Sequence, residues 1–585
     1  MMINITDIIQ FFAEEAETAN SAWRTFMALP TKERVSLLKT IEGVVLTDDD
    51  YGKNEEGDQL FKAVCEKNIS EIKEGEPLFL HSEGKLSGLD CYIEEYGEDD
   101  DMMIAVSRFA TASVKDYLGK PLILDKRCVD LRKNVYDKFL VELDQSRLNS
   151  PVPFNNVVAT QFQRKEVCEA ELEKTQRKFN LQFTANQRLA VLNAISASDY
   201  YLIQGPPGSG KSFVLGLIIL EEVIWAKHNV IVIGPNHKAV NNALEQLLKY
   251  NVVCEAYKLG QSYNRPTLTV ERNGVIREIS NIQYLNLEKF ENSANSWVIG
   301  MTPHSLYTSR ARGLTCHTLI IDEAGQMPIP IALMGIIKAE KVIFSGDHKQ
   351  LPPIIQSDKV SSELKQSAFH YLMRPDNSIM LDCSFRMCGK ICKFVSELFY
   401  DGKLTAHRNN NGDKVVCDNP VLSFDTPIVA KKIYHNGKQT SEEEAKWIVE
   451  VVKQYIQLGL SANDIAILAP FRAQSQVVRR RLKLSMRDID PSLWRLIVAD
   501  TVDKMQGQER EVIIYSMTAG DADYINEMHD FLFNHNKINV AFSRARSKLI
   551  IVGSPQSLNA IPHLSRHALT LYTALYVFRE IVDCL

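Results

Sequence analysis

Gly205-Pro-Pro-Gly-Ser-Gly-Lys211-Ser212 decides how the rest of this chain is read. It is a complete G-x-x-x-x-G-K-S loop lying between an apolar run, Tyr201-Leu-Ile203, and a helical pattern, Phe213 to Leu220. Strand, glycine-rich loop and helix are the context in which backbone N–H groups and the positive end of a helix hold phosphates. Gly205, Pro206, Pro207, Gly208, Ser209 and Gly210 form the expected cradle. Lys211 is placed to reach the β- and γ-phosphates of a nucleoside triphosphate, and the Ser212 hydroxyl to hold Mg²⁺.

The composition is that of a soluble globular chain, with 45% hydrophobic and 24% charged residues over 585 positions, a length that suggests about three to five domains. A net charge of only −6 means that any nucleic-acid surface must be local. Eleven scattered cysteines, no secretory leader and no apolar run long enough for a bilayer suit a reducing cytoplasm and no membrane partner. Cys383, Cys388 and Cys392 have no fourth ligand at a recognisable spacing, so they read as buried thiols.

Outward from the loop, residues 1–58 read as N-terminal helices, with a helix start at Thr31 after Pro30. Residues 59–130 change to short apolar runs broken by glycines, a small β-rich domain, and 131–180 return to a helical, charge-rich pattern. The acidic run Glu98-Asp-Asp-Asp101 falls between two such strands as a solvated turn. From residue 181 strands and helices alternate, which is the mark of parallel α/β sheets. Two tandem cores are expected, 181–355 and 356–585.

Asp322-Glu-Ala-Gly-Gln326 follows the apolar run Leu319-Ile-Ile321, at the carboxyl end of a core strand, where open α/β sheets place ligands. Asp322 is placed to hold Mg²⁺ and Glu323 to orient or deprotonate the attacking water.

At this point the chain resembles superfamily 1 helicases, specifically the up-frameshift-like group that includes the helicase of nonsense-mediated decay. The resemblance covers roughly residues 180 to 555 and rests on motifs in order: Phe183-Thr-Ala-Asn-Gln187, Gly346-Asp-His-Lys-Gln350-Leu-Pro-Pro353, Cys383-Ser-Phe385-Arg386-Met387, Thr501-Val-Asp-Lys-Met-Gln506-Gly507-Gln-Glu509 and Asn539-Val-Ala-Phe-Ser-Arg544-Ala-Arg546. It implies two tandem RecA-like cores with a helical stalk and small β-barrel inserted before them, and ATP with Mg²⁺ as cofactors.

Residue by residue, the resemblance implies that Gln187 reads adenine, that Phe385 stacks on the base in place of the family tyrosine, and that Gln350 senses the γ-phosphate. Arg386 and Arg544 would act as arginine fingers from the second core, and Gly507 and Glu509 would face the nucleotide, Glu509 at the ribose. Asn236, His237, Thr302, Thr501 and Gln506 occupy positions that hold the backbone of a nucleic-acid strand without reading sequence. Arg479-Arg-Arg481 with Lys483 reads instead as a solvated helix face.

The expectation is an ATP-dependent helicase or translocase on single-stranded DNA or RNA, moving 5′ to 3′ by resemblance alone. Protein partners would supply specificity or nuclease activity. The alternative is a nucleic-acid-stimulated ATPase clamp that does not unwind.

Overall fold

The computed structural model describes residues 5–47, 51–54, 58–66, 68, 70, 72, 75–84, 87–96, 101–107, 112–128, 131–146, 172–173, 176–177, 182–249, 254–260, 268–272, 275–282, 296–308, 310–311, 313–407, 415–486, 493–505 and 507–558. Most of Lys165 to Lys178, residues 98–100 of the acidic run, and Gln506 lie outside them.

A long helix, Ile5–Ala28, opens the described chain and stops before Pro30, whose missing N–H and restricted neighbour end it. Its buried residues Ile8, Phe11, Phe12 and Ala16 recur at helical spacing and pack on the first α/β core. Phe12 meets Tyr136 and Phe139 with ring centroids at 4.5 and 5.3 Å, and Phe139 meets Tyr307 of the core at 5.4 Å.

Six antiparallel strands form a closed barrel: β1 (Thr40–Leu46), β2 (Gln59–Val64), β3 (Leu78–His81), β4 (Gly88–Tyr96), β5 (Met102–Val106) and β6 (Pro121–Lys126), in the order β1-β2-β5-β4-β3-β6. β1 lies inside the 1–58 segment expected to be helical. Its Val44-Val-Leu46 run favours a strand, and its pairing with β6 closes the barrel. Asp125 is buried there and accepts from Arg34 Nε (3.2 Å), Thr40 Oγ1 (2.6 Å) and His81 Nε2 (2.8 Å), tying the barrel to the short helix Thr31–Ser36. Asp101 pairs with Lys62 at 2.8 Å.

The first core is a nine-stranded sheet built from β7 (Tyr200–Gln204), β8 (Val230–Ile233), β9 (Glu255–Leu259), β10 (Leu268–Arg272), β11 (Val275–Ile282), β12 (Trp297–Met301), β13 (Cys316–Ile321), β14 (Ala339–Gly346) and β15 (Ser378–Met380). All neighbours are parallel except the β10–β11 hairpin, and the order is β10-β11-β9-β12-β8-β13-β14-β7-β15. Val230-Ile-Val-Ile233 is buried throughout, as a strand covered on both faces must be. Because β15 pairs with β7, the first core runs on to about residue 381, past the expected boundary at 355. No local pattern marks this, because a three-residue edge strand is defined by its partner.

A two-residue parallel pair, β16 (Cys383–Ser384) with β17 (Thr405–Ala406), follows. The second core is a five-stranded parallel sheet of β18 (Ile428–Lys432), β19 (Ile465–Ala469), β20 (Val498–Thr501), β21 (Arg510–Ser516) and β22 (Ala545–Gly553), ordered β18-β22-β21-β19-β20. Arg479, Arg480 and Arg481 project from helix Arg472–Ser485 and pair with Asp500 and Glu442, as a solvated helix face does. Cys392 is buried and Cys383 and Cys388 partly so, and burial raises all three thiols. Among the described residues no helix is long and apolar enough to cross a membrane.

Candidate active site between the two cores

The phosphate loop leaves β7 at Gln204 and enters helix Lys211–Leu220 through Gly210, whose φ of 79° is left-handed. Gly208 is also left-handed, at 72°, and a Cβ there would stand 2.4 Å from Cβ of Arg386. Only glycine lets the second element approach this closely. Ser384 Oγ donates to Pro207 O (2.9 Å) and Phe385 N to Gly208 O (2.8 Å), so Cys383-Ser-Phe385-Arg386 clasps the loop directly.

Asp322 and Glu323 follow β13. Glu323 is a non-glycine residue at φ 54°, the local strain that clusters at functional sites. Lys211 Nζ reaches Glu323 Oε1 at 2.7 Å and Asp322 Oδ1 at 3.3 Å. Burial opposes the charge on Lys211, but Asp322 and Glu323 outweigh it and hold the ammonium well above its ordinary range. Burial pushes Asp322 up against the pull of Lys211; for Glu323 the nearby Lys211 and Arg544 overcome burial and keep it ionised. Asp322 Oδ1 accepts from Glu323 N (2.8 Å) and Ser345 Oγ (3.1 Å), and Gln326 Nε2 donates to Glu323 Oε2 (3.1 Å).

The residues after β14 couple this site to the second core. Asp347, buried, accepts from Gln204 Nε2 (3.1 Å), Gln350 Nε2 (2.8 Å) and the Tyr400 hydroxyl (2.6 Å). Asn539 Nδ2 donates to Lys349 O (2.7 Å) and to Tyr400 (2.9 Å), while Asn536 holds His348 O and Gln350 O. Arg544 Nη2 donates to Gln350 Oε1 at 2.9 Å. Burial first, and repulsion from Arg386 second, disfavour the charge of Arg544, so a cluster of cations is held here at a cost that an anion relieves.

The chemistry of these groups fits ATP and Mg²⁺. Ser209 Oγ is buried in the loop with no hydrogen-bond partner, although a phosphate oxygen would satisfy it. Ser212 and Asp322 would be the oxygen donors for such a metal, which would supply charge neutralisation to the phosphates.

Some expected site residues carry structural duties. Gln187 is buried; its Oε1 accepts from Thr184 N (3.1 Å) in a capping box, and its Nε2 donates to Ser209 O (3.0 Å). One amide hydrogen is left for a base. Glu509 takes Arg386 Nε at 2.5 Å. Phe385 is 41% exposed with its ring 4.7 Å from that of His407, an open aromatic face beside the loop. Gly507 lies against Lys238, at 3.5 Å from a built Cβ to Nζ.

Asn236 caps helix His237–Leu248 by accepting from Ala239 N at 3.0 Å. Thr302 Oγ1 lies 2.9 Å from Ser305 Oγ, and Thr501, at the end of β20, donates its N–H to Asp500 Oδ1 at 2.7 Å. His237 starts its helix half-buried. Gln326, Asp347, Tyr400 and Asn536 went without a role in the sequence reading. Gln326 and Asp347 stand inside quoted motifs, while Tyr400 and Asn536 carry no local signal.

Two family models described as AAA domains match residues 187–356 and 364–556. The mouse DNA replication ATP-dependent helicase/nuclease DNA2 is 27% identical over 435 residues, 68% of this chain and 39% of that protein. An uncharacterized ATP-dependent helicase of Methanocaldococcus jannaschii is 25% identical, over 64% of this chain and 68% of its own length. A DNA polymerase alpha-associated DNA helicase A of Schizosaccharomyces pombe is 25% identical, over 65% and 64%. The chain thus spans about two fifths of the length of the DNA2 relatives. Among solved structures, Arterivirus nonstructural protein 10, a helicase, covers 87% of this chain and 78% of its own at 13% identity and a TM-score of 0.38.

Fold and site together define a nucleotide-site geometry shared by two α/β cores, with the phosphate loop on one core and the arginines on the other. Its ordered motifs and these matches support a superfamily 1 helicase.

Proposed function

We propose that this chain hydrolyses ATP to move along single-stranded nucleic acid and displace a paired strand. The observation that carries the reading is the shared cleft: Lys211 and Glu323 belong to the first core, Arg386 and Arg544 to the second, and Gln350 links the two through Arg544. A γ-phosphate bound by Lys211 draws the arginines in, and its loss releases them, so turnover opens and closes the cleft. Glu323 orients and deprotonates the attacking water, and Arg544 stabilises charge developing on the transferred group.

Gln187 and Phe385 take the adenine, through the remaining amide hydrogen and the exposed ring. Arg386 leaves Glu509 for the phosphates when ATP enters, which frees Glu509 for the ribose. Asn236, His237, Thr302 and Thr501 hold the backbone of the strand, and the motif resemblance gives Gln506 the same role. Membership of the up-frameshift-like group and 5′-to-3′ movement rest on the motif resemblance, and protein partners supply specificity.

The test is ATPase rate with matched single-stranded DNA and RNA, beside strand displacement. Glu323→Gln is expected to bind ATP without turning it over, and Lys211→Ala to lose binding. Stimulated turnover without displacement or translocation identifies a clamp; wild-type turnover in Glu323→Gln removes Glu323 from the chemistry.

A further inference from the structure

At the end of the first sheet opposite the nucleotide, the helix that follows the phosphate loop runs on into a π-turn, Glu221–Trp225. Such turns are rare and gather at functional sites. Lys227 then takes a left-handed φ of 60°, which brings His228 back so that its N–H donates to Glu222 O at 2.8 Å. The His228 ring faces the Glu222 side chain, with Nδ1 2.8 Å from Oε2. His317, near the start of β13, brings its own Nδ1 to 3.7 Å from the same oxygen and to 2.9 Å from Thr318 Oγ1, a contact it exchanges for a metal.

We propose that Glu222, His228 and His317 bind a transition-metal dication, Zn²⁺ by preference, that staples the end of the phosphate-loop helix to β13. The three donor atoms lie within 4.8 Å of one another. Tetrahedral zinc with bonds of about 2.0–2.1 Å sets its ligand atoms about 3.4 Å apart. The observed 2.8 and 3.7 Å bracket that spacing. Two imidazoles and a carboxylate suit zinc and leave a fourth position for water.

The surroundings orient the ligands as outer partners of metal sites do. Lys341 holds Glu222 Oε1, and Thr318 Oγ1 donates to Oε2 at 2.7 Å. The exposed Glu340 carboxylate lies 3.9 Å from His317 Nε2, placed to accept that N–H once Nδ1 takes the metal. The rings are stacked at 17° with centroids 3.4 Å apart. They must open about their Cβ–Cγ bonds to share a metal, and side chains that are 34% and 29% exposed have room to do so.

The test uses Co²⁺ as a spectroscopic probe on the full chain stripped of metal, comparing wild type with His228→Ala/His317→Ala. Melting in EDTA, followed by circular dichroism, checks that both proteins fold. The expected result is one Co²⁺ per chain with intense visible bands of a tetrahedral site, displaced by Zn²⁺, and a melting midpoint raised by Zn²⁺, all lost in the double variant. His317→Gln alone is expected to weaken Co²⁺ binding at least tenfold. Equal binding and spectra in wild type and double variant, or no bound Co²⁺ in either, overturns the proposal.

Discussion

Arg544, in the second core, donates from Nη2 to Oε1 of Gln350, in the first, across 2.9 Å. Its Nε is held by Val540 O at 3.0 Å and its Nη1 by Gln508 O at 3.3 Å, so the guanidinium arrives in the cleft with its direction set. Arg544→Lys keeps a charge and loses the planar fork. Both Arg544→Lys and Arg544→Ala are expected to lower nucleic-acid-stimulated kcat by roughly three orders of magnitude, the scale of an arginine finger. Steady-state ATPase assays check this; a loss under tenfold would mean that Arg386 alone serves the phosphate.

Gly208→Ala puts a methyl group 2.4 Å from Cβ of Arg386 on a backbone at φ 72°. The loop must distort or the Arg386 segment must retreat. The expected outcome is a loss of ATPase of at least a hundredfold with a melting midpoint only slightly lowered. A variant with wild-type turnover would show that the clasp is not needed for hydrolysis.

Tyr400→Phe removes the hydroxyl that donates to Asp347 and accepts from Asn539. Leaving a buried carboxylate short of one donor costs about 1–3 kcal/mol. Because Asp347 also holds Gln350, the loss is expected in kcat, by about tenfold, with KM for ATP little changed. Equal effects on both constants would place Tyr400 outside the coupling path.

His304 packs beside Tyr136, ring centroids 5.9 Å apart, and burial pushes its imidazole down to about 4. The folded protein therefore keeps it neutral while the unfolded chain takes up a proton below about 6.5. Its contribution to stability is whole above that pH and falls steadily as pH drops from 6.5 towards 4. Urea midpoints measured across this window are expected to decline less in His304→Gln than in wild type.

The phosphate loop and the Asp322-Glu323 pair were legible as local sequence, because each depends on neighbouring residues: a strand, a turn that only glycine makes, a helix start; the second-core arginines were legible only through the motif resemblance. The two parallel cores were legible too, because buried strands such as Val230-Ile-Val-Ile233 read as unbroken apolar runs. Local pattern does not specify partners. β1 was hidden in a helical reading, and β15 joins the first core only because β7 offers it an edge. Tyr400 gains its role from Asp347, 53 positions earlier, and Glu222 meets His317, 95 positions later. The sequence by itself determined where the phosphate loop and the acidic pair stand on their strands. The tertiary structure alone decided which of them are already engaged with one another, because hydrogen bonds and charge pairs between distant segments depend on packing that no local spacing encodes.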